Sequence, residues 1–439
     1  MELDPLTGLP NRTSFKQKLE AVTAQALPNA TATVLCLIDV DDLRQVNDQY
    51  GQAVGDHVLR GFAQRLPESH EWYVARIGSN EFGLIAESIE QLEVFARHLS
   101  ARLNGMTLDV PLHSLTVDIT AKAGYVVLTE DGGDSDTLLR RADLALCDAK
   151  RTQADRACRF KMAMEENFRR RVVVAKEFRE ALIDGNIIPH YQPIFRLKTR
   201  QVAGLEALAR WDHPEKGVLS PTVFMEVFED HEASIMLTDI MLDRVCRDMR
   251  EWLDHGIYFG RIGLNITAAD LQCPEFAQRV ASKLAHYRIR PHHLTLEMTE
   301  TAVFQSGDSR FRNQMHELRE AGVAIALDDF GTGYSSLMHM RCVPFDILKI
   351  DKSFVKSMRH SQPDQVIIEA LIRLGQDIGY TTVAEGIEVK AEASFLSKMG
   401  CTYGQGYFFQ KPLPKSNVTT VLAGGSYAAD TLESGKAHA

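Results

Sequence analysis

The stretch VAIALDDFG, residues 323–331, sets the fold hypothesis for the second half of this chain. It is an apolar run that ends on two adjacent aspartates and a glycine, a pattern typical of a buried strand with polar side chains at its carboxyl end. Other apolar runs after residue 185 also end on a polar or ionisable residue. These runs are GLEALAR, IGLNIT, LTLEMTE, FDILKID, TTVAEGIE and GQGYFF.

The polar ends of these runs recur at intervals that suit alternating strands and helices. Several are about 30 residues apart, the length of a strand with its return helix. Repeated units of this kind imply a parallel sheet, and about 240 residues of them suit a closed barrel. Because the carboxyl ends of barrel strands share one mouth, the polar ends should meet in space. They are Glu206, Asn265, Glu297, Asp328, Asp329, Lys349, Glu385 and Gln405.

The acids of this set predict a metal site. Carboxylates a few ångströms apart repel one another strongly, so a mouth that holds several of them needs cations. Oxygen ligands without His or Cys favour Mg²⁺ or Mn²⁺ over Zn²⁺. The adjacent Asp328 and Asp329 suit a pair of ions, which can activate water in phosphodiester cleavage, while Lys349 could position the nucleophile. The alternative, that the acids cap the following helices, explains only one or two of them.

Composition excludes several classes of protein. The net charge of −10 over 439 residues argues against binding to a nucleic acid polymer or an anionic membrane, since both need a basic surface. Seven cysteines without a CxxC pair favour reduced thiols. Neither a secretory signal nor a membrane-spanning apolar run is visible. We therefore predict a cytoplasmic location, with the chain as the cytosolic part of a longer sensor protein as a second option.

The first half has a different organisation. Alternating helix-like and strand-like segments predict one α+β domain over residues 1–160, and a Glu-, Arg- and Ala-rich segment predicts a connecting helix over 161–180. The second domain then covers 181–425, and 426–439 form a tail. Within the first domain, RIGSNEFGLI, residues 76–85, reads as a strand that runs into an acidic turn.

The second domain carries a series of motifs in a fixed order between about residues 185 and 415. They are YQPI, EAL, LNIT, EMTE, DDFGTGYSSL, LKID, AEGIE and GQGYFFQKP. This series resembles the EAL family of cyclic-di-GMP phosphodiesterases, and the resemblance implies a modified TIM (β/α)8 barrel. It also shows one departure, because Glu226 stands where the family usually has a proline. That position is outside the metal set, so we expect an effect on packing or regulation.

The resemblance implies a role for each matching position. The metal ligands would be Glu206, Asn265, Glu297, Asp328, Asp329 and Glu385, with two ions of Mg²⁺ or Mn²⁺ per site. The catalytic set would be Glu206, Asp329, which reaches both ions or a bridging water, and Lys349, which holds the attacking water. The substrate would contact Gln192, Arg210, Asp351 and Gln405. Glu300 would brace the loop after the paired aspartates, and no ligand position is missing.

The first domain resembles the GGDEF family of diguanylate cyclases. The motifs DPLTGLPNR, IDVDDLRQVNDQYGQAVGD and RRADLALCDAK carry the resemblance from residue 4 to about 155. GSNEF replaces the family's GG(D/E)EF, so Ser79 stands where glycine lets the backbone approach phosphates, and Asn80 stands where an acid binds catalytic metal. We therefore predict a degenerate domain without cyclase activity. The family's RxxD inhibitory site is absent, since Ser69 and Trp72 occupy its places.

Nucleotide binding by the first domain is a separate hypothesis. Asn47 and Asp56 match the family's guanine-reading residues, Lys150 matches a phosphate contact, and Asp39 matches the remaining acid. GTP bound there would act as a regulatory ligand that raises the activity of the barrel. The alternative is a domain that serves only in dimerisation or packing.

Together these observations predict a phosphodiesterase that hydrolyses cyclic-di-GMP to linear pGpG. The resemblance to the EAL family also implies a homodimer. Three rival hypotheses stay open: a cyclic-di-GMP or GTP receptor without turnover, a bifunctional cyclase and phosphodiesterase, and a regulator that acts through protein contacts.

Overall fold

The structure of the chain is a computed structural model. It describes residues 2–25, 32–67, 72–110, 115–152, 156–225, 228, 230–300, 302–303, 309–331 and 344–424. The chain forms two compact units, the first unit Met1–Val172 and the second unit Val173–Ala439. The predicted tail, Ser69 and Glu226 lie outside the described residues. Among the helices described, none is long and apolar enough to cross a membrane.

The first unit is built on a five-stranded sheet. Its strands are β1 (Ala32–Val40), β2 (Trp72–Arg76), β3 (Glu81–Ile89), β4 (Met106–Val110), β5 (Leu115–Ile119), β6 (Ala121–Val127) and β7 (Ala157–Arg159). The sheet has the order β2-β3-β1-β6-β7, while β4 and β5 form a separate two-stranded ribbon. The central strand β1 is rich in apolar residues and is buried from Val34 to Val40, as expected for a strand covered on both faces.

Helices cover this sheet. They are α1 (Arg12–Gln25), α2 (Leu43–Tyr50), α3 (Gln52–Arg65), α4 (Leu92–Leu103), α5 (Leu128–Asp131) and α6 (Ser135–Thr152), while α7 (Met162–Asp184) continues from the first unit into the second. Gly51 separates α2 from α3 with a φ of 86°, a left-handed value that favours glycine. The GSNEF turn joins β2 to β3 as an antiparallel pair. The predicted α+β fold of the first unit is confirmed.

The second unit is a closed barrel of eight strands. The strands of this unit are β8 (Ile187–Arg196), β9 (Val202–His213), β10 (Gly217–Leu219), β11 (Arg261–Asn265), β12 (Leu294–Thr299), β13 (Ala324–Phe330), β14 (Ile347–Ile350), β15 (Thr381–Ala384), β16 (Tyr403–Gly404) and β17 (Leu413–Pro414). The wall runs β9-β11-β12-β13-β14-β15-β16-β8, and a β8–β9 pairing closes it. The predicted barrel is confirmed.

The barrel departs from a fully parallel wall at one strand. β8 runs antiparallel to both β9 and β16, while the other wall strands are parallel to their neighbours. The reason is local, because only residues 197–201 connect β8 to β9 and such a short connection can make a hairpin but not a crossover. The (β/α)8 pattern is therefore modified at its first strand.

Helices surround the barrel and keep the strand ends in register. They are α8 (His231–Asp254), α9 (Ala268–Gln272), α10 (Phe276–His286), α11 (Ser309–Glu320), α12 (Lys352–Ser357), α13 (Gln362–Ile378), α14 (Lys390–Met399) and α15 (Lys415–Ala423). Asp230 caps α8 by accepting from the amides of Glu232 and Ala233. The parallel register places Asn265 beside Glu297, so neighbouring strands deliver polar residues to the same level.

Candidate active site

The structure brings the polar strand ends together, as the barrel topology requires. Glu206 lies within β9, Glu297 within β12 and Lys349 within β14, while Glu385 and Gln405 directly follow β15 and β16. The whole group gathers at the mouth of the barrel. We call it the acidic cluster, and it consists of Glu206, Asn265, Glu297, Asp328, Asp329, Lys349, Glu385 and Gln405.

Lys349 lies at the centre of the acidic cluster. Its side chain is 1% exposed, and its Nζ lies 2.5 Å from a carboxylate oxygen of Glu297, 2.6 Å from Glu385, 3.1 Å from Asp328 and 3.7 Å from Glu206. Burial alone would lower the pKa of Lys349, but the surrounding carboxylates raise it well above its usual value. The lysine therefore stays charged and holds four acids around one point.

Amide side chains hold Glu206 from the other side. Asn265 Nδ2 donates to Glu206 Oε1 at 3.0 Å, and Gln405 Nε2 donates to Glu206 Oε2 at 2.5 Å. Burial acts to raise the pKa of Glu206, but Lys349 and these two donors hold it below its usual value. A Cβ at Gly263 would lie 1.8 Å from Glu297 Oε1, so a glycine is needed for Glu297 to approach the centre.

The charges of the other acids of the acidic cluster are not fully balanced by the protein's own cations. Burial and then the charges of Glu206 and Asp328 raise the pKa of Glu297 to about 8, although Lys349 opposes the shift. Burial and then the charges of Asp328 and Asp351 raise the pKa of Asp329 to about 6. Burial and neighbouring acids also raise the pKa of Glu385 well above its usual value. One ammonium thus does not neutralise this many carboxylates.

The acidic cluster fits divalent cations. Oxygens of Glu206, Glu297 and Asp328 lie within 4.8 Å of one another, and so do oxygens of Asp328, Asp329 and Glu385. Asp328 belongs to both groups, so it could ligate two neighbouring ions. In addition, Gln405 Oε1 is buried and has no donor partner among the residues that the structure describes. The uncompensated charge and the all-oxygen donor set favour hard cations such as Mg²⁺ or Mn²⁺.

The turn after Asp328 has an unusual backbone. Asp329 has a φ of 53°, which is uncommon for a residue with a side chain, and Gly331 has a φ of 96°. The Asp329 amide donates to Asp328 Oδ1 at 2.9 Å, and the Gly331 amide donates to Glu300 Oε2 at 3.0 Å. Glu300 therefore holds the start of the loop, while residues 332–343 of that loop lie outside the described part.

The predicted substrate contacts lie on the same strands. Gln192 pairs in register with Glu206 and donates from Nε2 to the Gln410 carbonyl at 3.1 Å. Arg210 is half-buried at the far end of β9, where burial lowers its pKa. Asp351 caps α12 by accepting from the Ser353 amide at 2.8 Å. Their roles in substrate binding stay predictions.

Sequence reasoning missed an exposed aromatic beside the site. Tyr407, two residues after Gln405, is 59% exposed, and Lys411 Nζ lies 5.2 Å from the centre of its ring. A flat exposed ring at the mouth could stack on a base. The signal was the tyrosine in GQGYFF, which stands outside the strand pattern.

The turn of the first unit differs from the acidic cluster, because protein donors satisfy its oxygens. Lys150 Nζ lies 2.8 Å from Asp39 Oδ2, and Asn80 Nδ2 donates to the Val40 carbonyl at 3.0 Å. An acid at position 80 could not make that second bond. Ser79 is not among the described residues with positive φ, so the backbone itself does not demand glycine there.

The predicted nucleotide-reading residues lie on α2 and α3 beside Gly51. Asn47 Oδ1 is buried and has no donor within the described residues, and a Cβ at Gly55 would lie 1.9 Å from it. Asp56 is partly exposed one residue beyond Gly55. The Asn47 amide therefore packs against Gly55, and a side chain at position 55 would displace it.

Comparison with known families agrees with this architecture. A family model described as "EAL domain" matches residues 175–412, and one described as "Diguanylate cyclase, GGDEF domain" matches residues 1–156. The chain belongs to the EAL family. Its first unit carries the GGDEF domain, so the resemblances drawn from the motifs are confirmed.

Individual relatives share this tandem arrangement. The chain is 32% identical to "Bifunctional diguanylate cyclase/cyclic di-GMP phosphodiesterase MucR" of Pseudomonas aeruginosa, over 96% of the chain and 61% of the relative. The solved "PaMucR Phosphodiesterase, c-di-GMP complex" is 33% identical, covers 56% of this chain and 99% of its own, and gives a TM-score of 0.53.

A second solved structure supports the fold of both units. "Vibrio cholerae LapD S helix-GGDEF-EAL (bound to c-di-GMP)" has a TM-score of 0.65 over 92% of this chain and 95% of its own, at 18% identity. At that identity the likeness concerns the fold alone. The chain spans about half to two thirds of the length of the curated relatives that it matches.

Proposed function

We propose that the second unit hydrolyses cyclic-di-GMP to linear pGpG with two divalent ions, Mg²⁺ or Mn²⁺, held by the acidic cluster. The observation that carries the proposal is the charge imbalance: four carboxylates contact one buried ammonium, and a fifth, that of Asp329, lies beside Asp328 and Glu385. The relative MucR has phosphodiesterase in its name, and its solved complex contains c-di-GMP, which supports this choice of substrate. In that reaction water adds to one phosphorus and the bond to the 3′-oxygen breaks.

Each group at the site would have a separate role in the reaction. Divalent ions bound at such a site supply Lewis-acid activation of water and of the phosphate. Lys349 is placed to hold the attacking water, because it is charged and central to the cluster. Glu206, fixed by Asn265 and Gln405, would keep its orientation as the substrate enters. Gln192, Arg210 and Asp351 would contact the nucleotide from the rim.

We propose further that the first unit makes no cyclic-di-GMP and binds GTP as a regulator. Loss of synthesis follows from the turn, where Lys150 and Asn80 already satisfy Asp39 and the Val40 carbonyl. GTP binding is supported by Asn47 Oδ1, which has no donor among the described residues. A turnover assay with and without GTP tests this step, and an unchanged rate and substrate affinity would remove it.

The test of the main proposal is a nucleotide assay on the purified chain. Cyclic-di-GMP is supplied with Mg²⁺, with Mn²⁺ and with a chelator, and the products are separated by chromatography. We expect pGpG in both metal reactions and none with chelator. Tight binding of cyclic-di-GMP without any pGpG would instead establish a receptor.

One variant tests the two remaining hypotheses, a bifunctional enzyme and a regulator that acts through protein contacts. If GTP is supplied to Glu206→Ala, any cyclic-di-GMP that the first unit makes should accumulate, and its detection would establish a bifunctional enzyme. Failure of both reactions would leave a regulator that acts through protein contacts. The proposed homodimer is tested separately by sedimentation of the same purified chain.

A further inference from the structure

A second cavity lies at the opposite end of the barrel from the acidic cluster. Its volume is about 550 Å³, within the range of pockets that hold small molecules. Residues at the amino-terminal ends of the parallel strands line its opening, among them Val202, Arg261, Thr381 and Tyr403. We call this cavity the floor site.

The floor site extends into the barrel along two glycines. Gly204 and Gly263 line it, and an added Cβ would meet the Arg261 carbonyl at 2.7 Å or Glu297 at 1.8 Å. Barrel interiors are normally filled by branched side chains at such positions. The inner end is instead closed by Glu297 and Lys349, so the floor site reaches the underside of the acidic cluster.

The opening of the floor site is basic in a chain of net charge −10. Arg196, Arg261, His292 and His293 line it, while Asp346 is the acid at its edge. Asp346 is already engaged, since Arg319 Nε lies 2.9 Å from its Oδ1 and the Ile325 amide donates to its Oδ2. Its charge therefore does little to offset the cations at the opening.

Arg261 is the cation best placed to meet a ligand. It begins β11, its side chain is exposed, and it makes no ion pair or side-chain hydrogen bond within the described part of the chain. Arg196 is partly occupied, because it donates to the Tyr403 hydroxyl at 3.1 Å and lies over that ring. A planar guanidinium without a partner suits bidentate contact with a phosphate.

The pKa of His292 reflects the same positive field. Burial, followed by the charges of His293, Arg290 and Arg261, holds the pKa of His292 below its usual value. A neighbouring groove of about 450 Å³ shares Arg261 and Asp346 with the floor site and adds His316 and Arg319. A bound anion would therefore favour the protonated form of His292.

An aromatic side chain stands at the same opening. Tyr258 lines the floor site with 75% of its surface exposed, which is unusual for a ring that serves the core. An exposed ring next to unpartnered cations is an arrangement that receives a base and its phosphate together.

We propose that the floor site binds a small phosphate-bearing anion, separate from the substrate of the acidic cluster. Free phosphate and a mononucleotide share the chemistry that Arg261 and the histidines recognise, and Tyr258 distinguishes them. This inference goes beyond the proposed phosphodiesterase activity and does not depend on it, because its readout is binding.

The test is calorimetric titration of the full chain with inorganic phosphate and with GMP, in chelator so that metal-dependent binding is suppressed. The variants are Arg261→Gln, His292→Asn and Tyr258→Ala, and Arg373→Gln is the matched control because Arg373 is an exposed arginine outside the cavity. Thermal melting of each variant confirms folding, and His292→Asn serves if Arg261→Gln does not fold.

We expect one site per chain and a loss of affinity of about tenfold for both ligands in Arg261→Gln, with no loss in the control. If the occupant is a mononucleotide, Tyr258→Ala should weaken the binding of GMP alone. If the occupant is free phosphate, Tyr258→Ala should have no effect on binding. The proposal is overturned if neither ligand binds below about 10 mM. It is equally overturned if Arg261→Gln matches the control, or if Glu206→Gln rather than Arg261→Gln abolishes GMP binding.

Discussion

The acidic cluster of the second unit and the turn of the first unit both place acids at strand ends, yet their charges are balanced differently. In the cluster, Lys349 contacts four carboxylates and leaves Glu297, Asp329 and Glu385 with raised pKa values. In the turn, Lys150 contacts Asp39 and Asn80 donates to the Val40 carbonyl. The first arrangement requires further cations or protons, whereas donors of the protein satisfy the second.

This difference shows that the number of acids alone is a weak predictor of a metal site. The number of acids must be compared with the number of protein donors that face them. A carboxylate paired with one ammonium has little need for a metal ion. Buried acids that share one ammonium must bind cations or protons, because their mutual repulsion is strong at low dielectric. The metal binding proposed for the second unit and the loss of it proposed for the first rest on the same principle.

The largest expected effect is the loss of turnover in Asp328→Asn. Asp328 belongs to both groups of possible ligands, so its amide replacement should weaken the binding of both ions. We expect the rate of pGpG formation to fall by about 10³-fold or more, since metal-activated water carries the reaction. Steady-state kinetics at saturating Mn²⁺ measures the fall.

A charge-matched control separates the site from the net charge. Asp377 is an exposed aspartate on α13 outside the acidic cluster, and Asp377→Asn should retain the rate of the unmodified chain. Comparable losses in both variants, or full activity in Asp328→Asn, would contradict the assignment.

The next effect concerns stability and compares the two lysines. Lys349→Met leaves a group of buried carboxylates without their ammonium, which should lower the free energy of unfolding by about 3–5 kcal/mol. Lys150→Met removes a contact in which the lysine is 44% exposed, so the loss should be about 0–1 kcal/mol. Chemical denaturation of both variants in chelator measures the difference.

Equal losses of unfolding free energy in the two variants would contradict the charge imbalance around Lys349. A loss in Lys349→Met that Mn²⁺ reverses would sharpen the comparison, because a divalent ion would then replace the missing positive charge.

The sequence predicted the gathering of the acidic cluster well, for a physical reason. In a barrel wall the register fixes the level of each residue, so a polar residue at the end of an apolar run must reach the mouth, as Glu297 and Asp328 do. The motifs predicted the same residues independently. Their roles in substrate binding and catalysis stay predictions.

Other features could not be read from the chain. The bond from Asn80 to the Val40 carbonyl and the pairing of Lys150 with Asp39 depend on side-chain rotamers across distant segments, which periodicity does not encode. The antiparallel β8 depends on the length of one short connection. The floor site is a space that the first residues of several strands leave empty, and no sequence motif predicts it.

Metal binding should stabilise the second unit by a smaller amount. An ion that binds only the folded chain adds about 2.7 kcal/mol at a hundredfold excess over its dissociation constant. We expect Mn²⁺ to raise the melting temperature of the unmodified chain and chelator to reverse the rise. Asp328→Asn should show little of this effect. A similar rise in Asp328→Asn would place the metal elsewhere.

The smallest expected effect is a gain of metal affinity in Asn80→Asp, which makes the turn of the first unit resemble the acidic cluster. The change removes the donor to the Val40 carbonyl and adds a carboxylate near Asp39, so Lys150 then faces two acids. We expect Mn²⁺ affinity at the first unit to rise about tenfold, or roughly 1.4 kcal/mol, as measured by electron paramagnetic resonance of free Mn²⁺ in an Asp328→Asn background. Ser79→Asp adds the same charge one residue earlier. Because the Ser79 side chain is exposed and does not donate to Val40 within the described contacts, this variant should give a smaller gain of Mn²⁺ affinity. If the two variants bind Mn²⁺ equally, general charge and not the balance at Asp39 controls the turn.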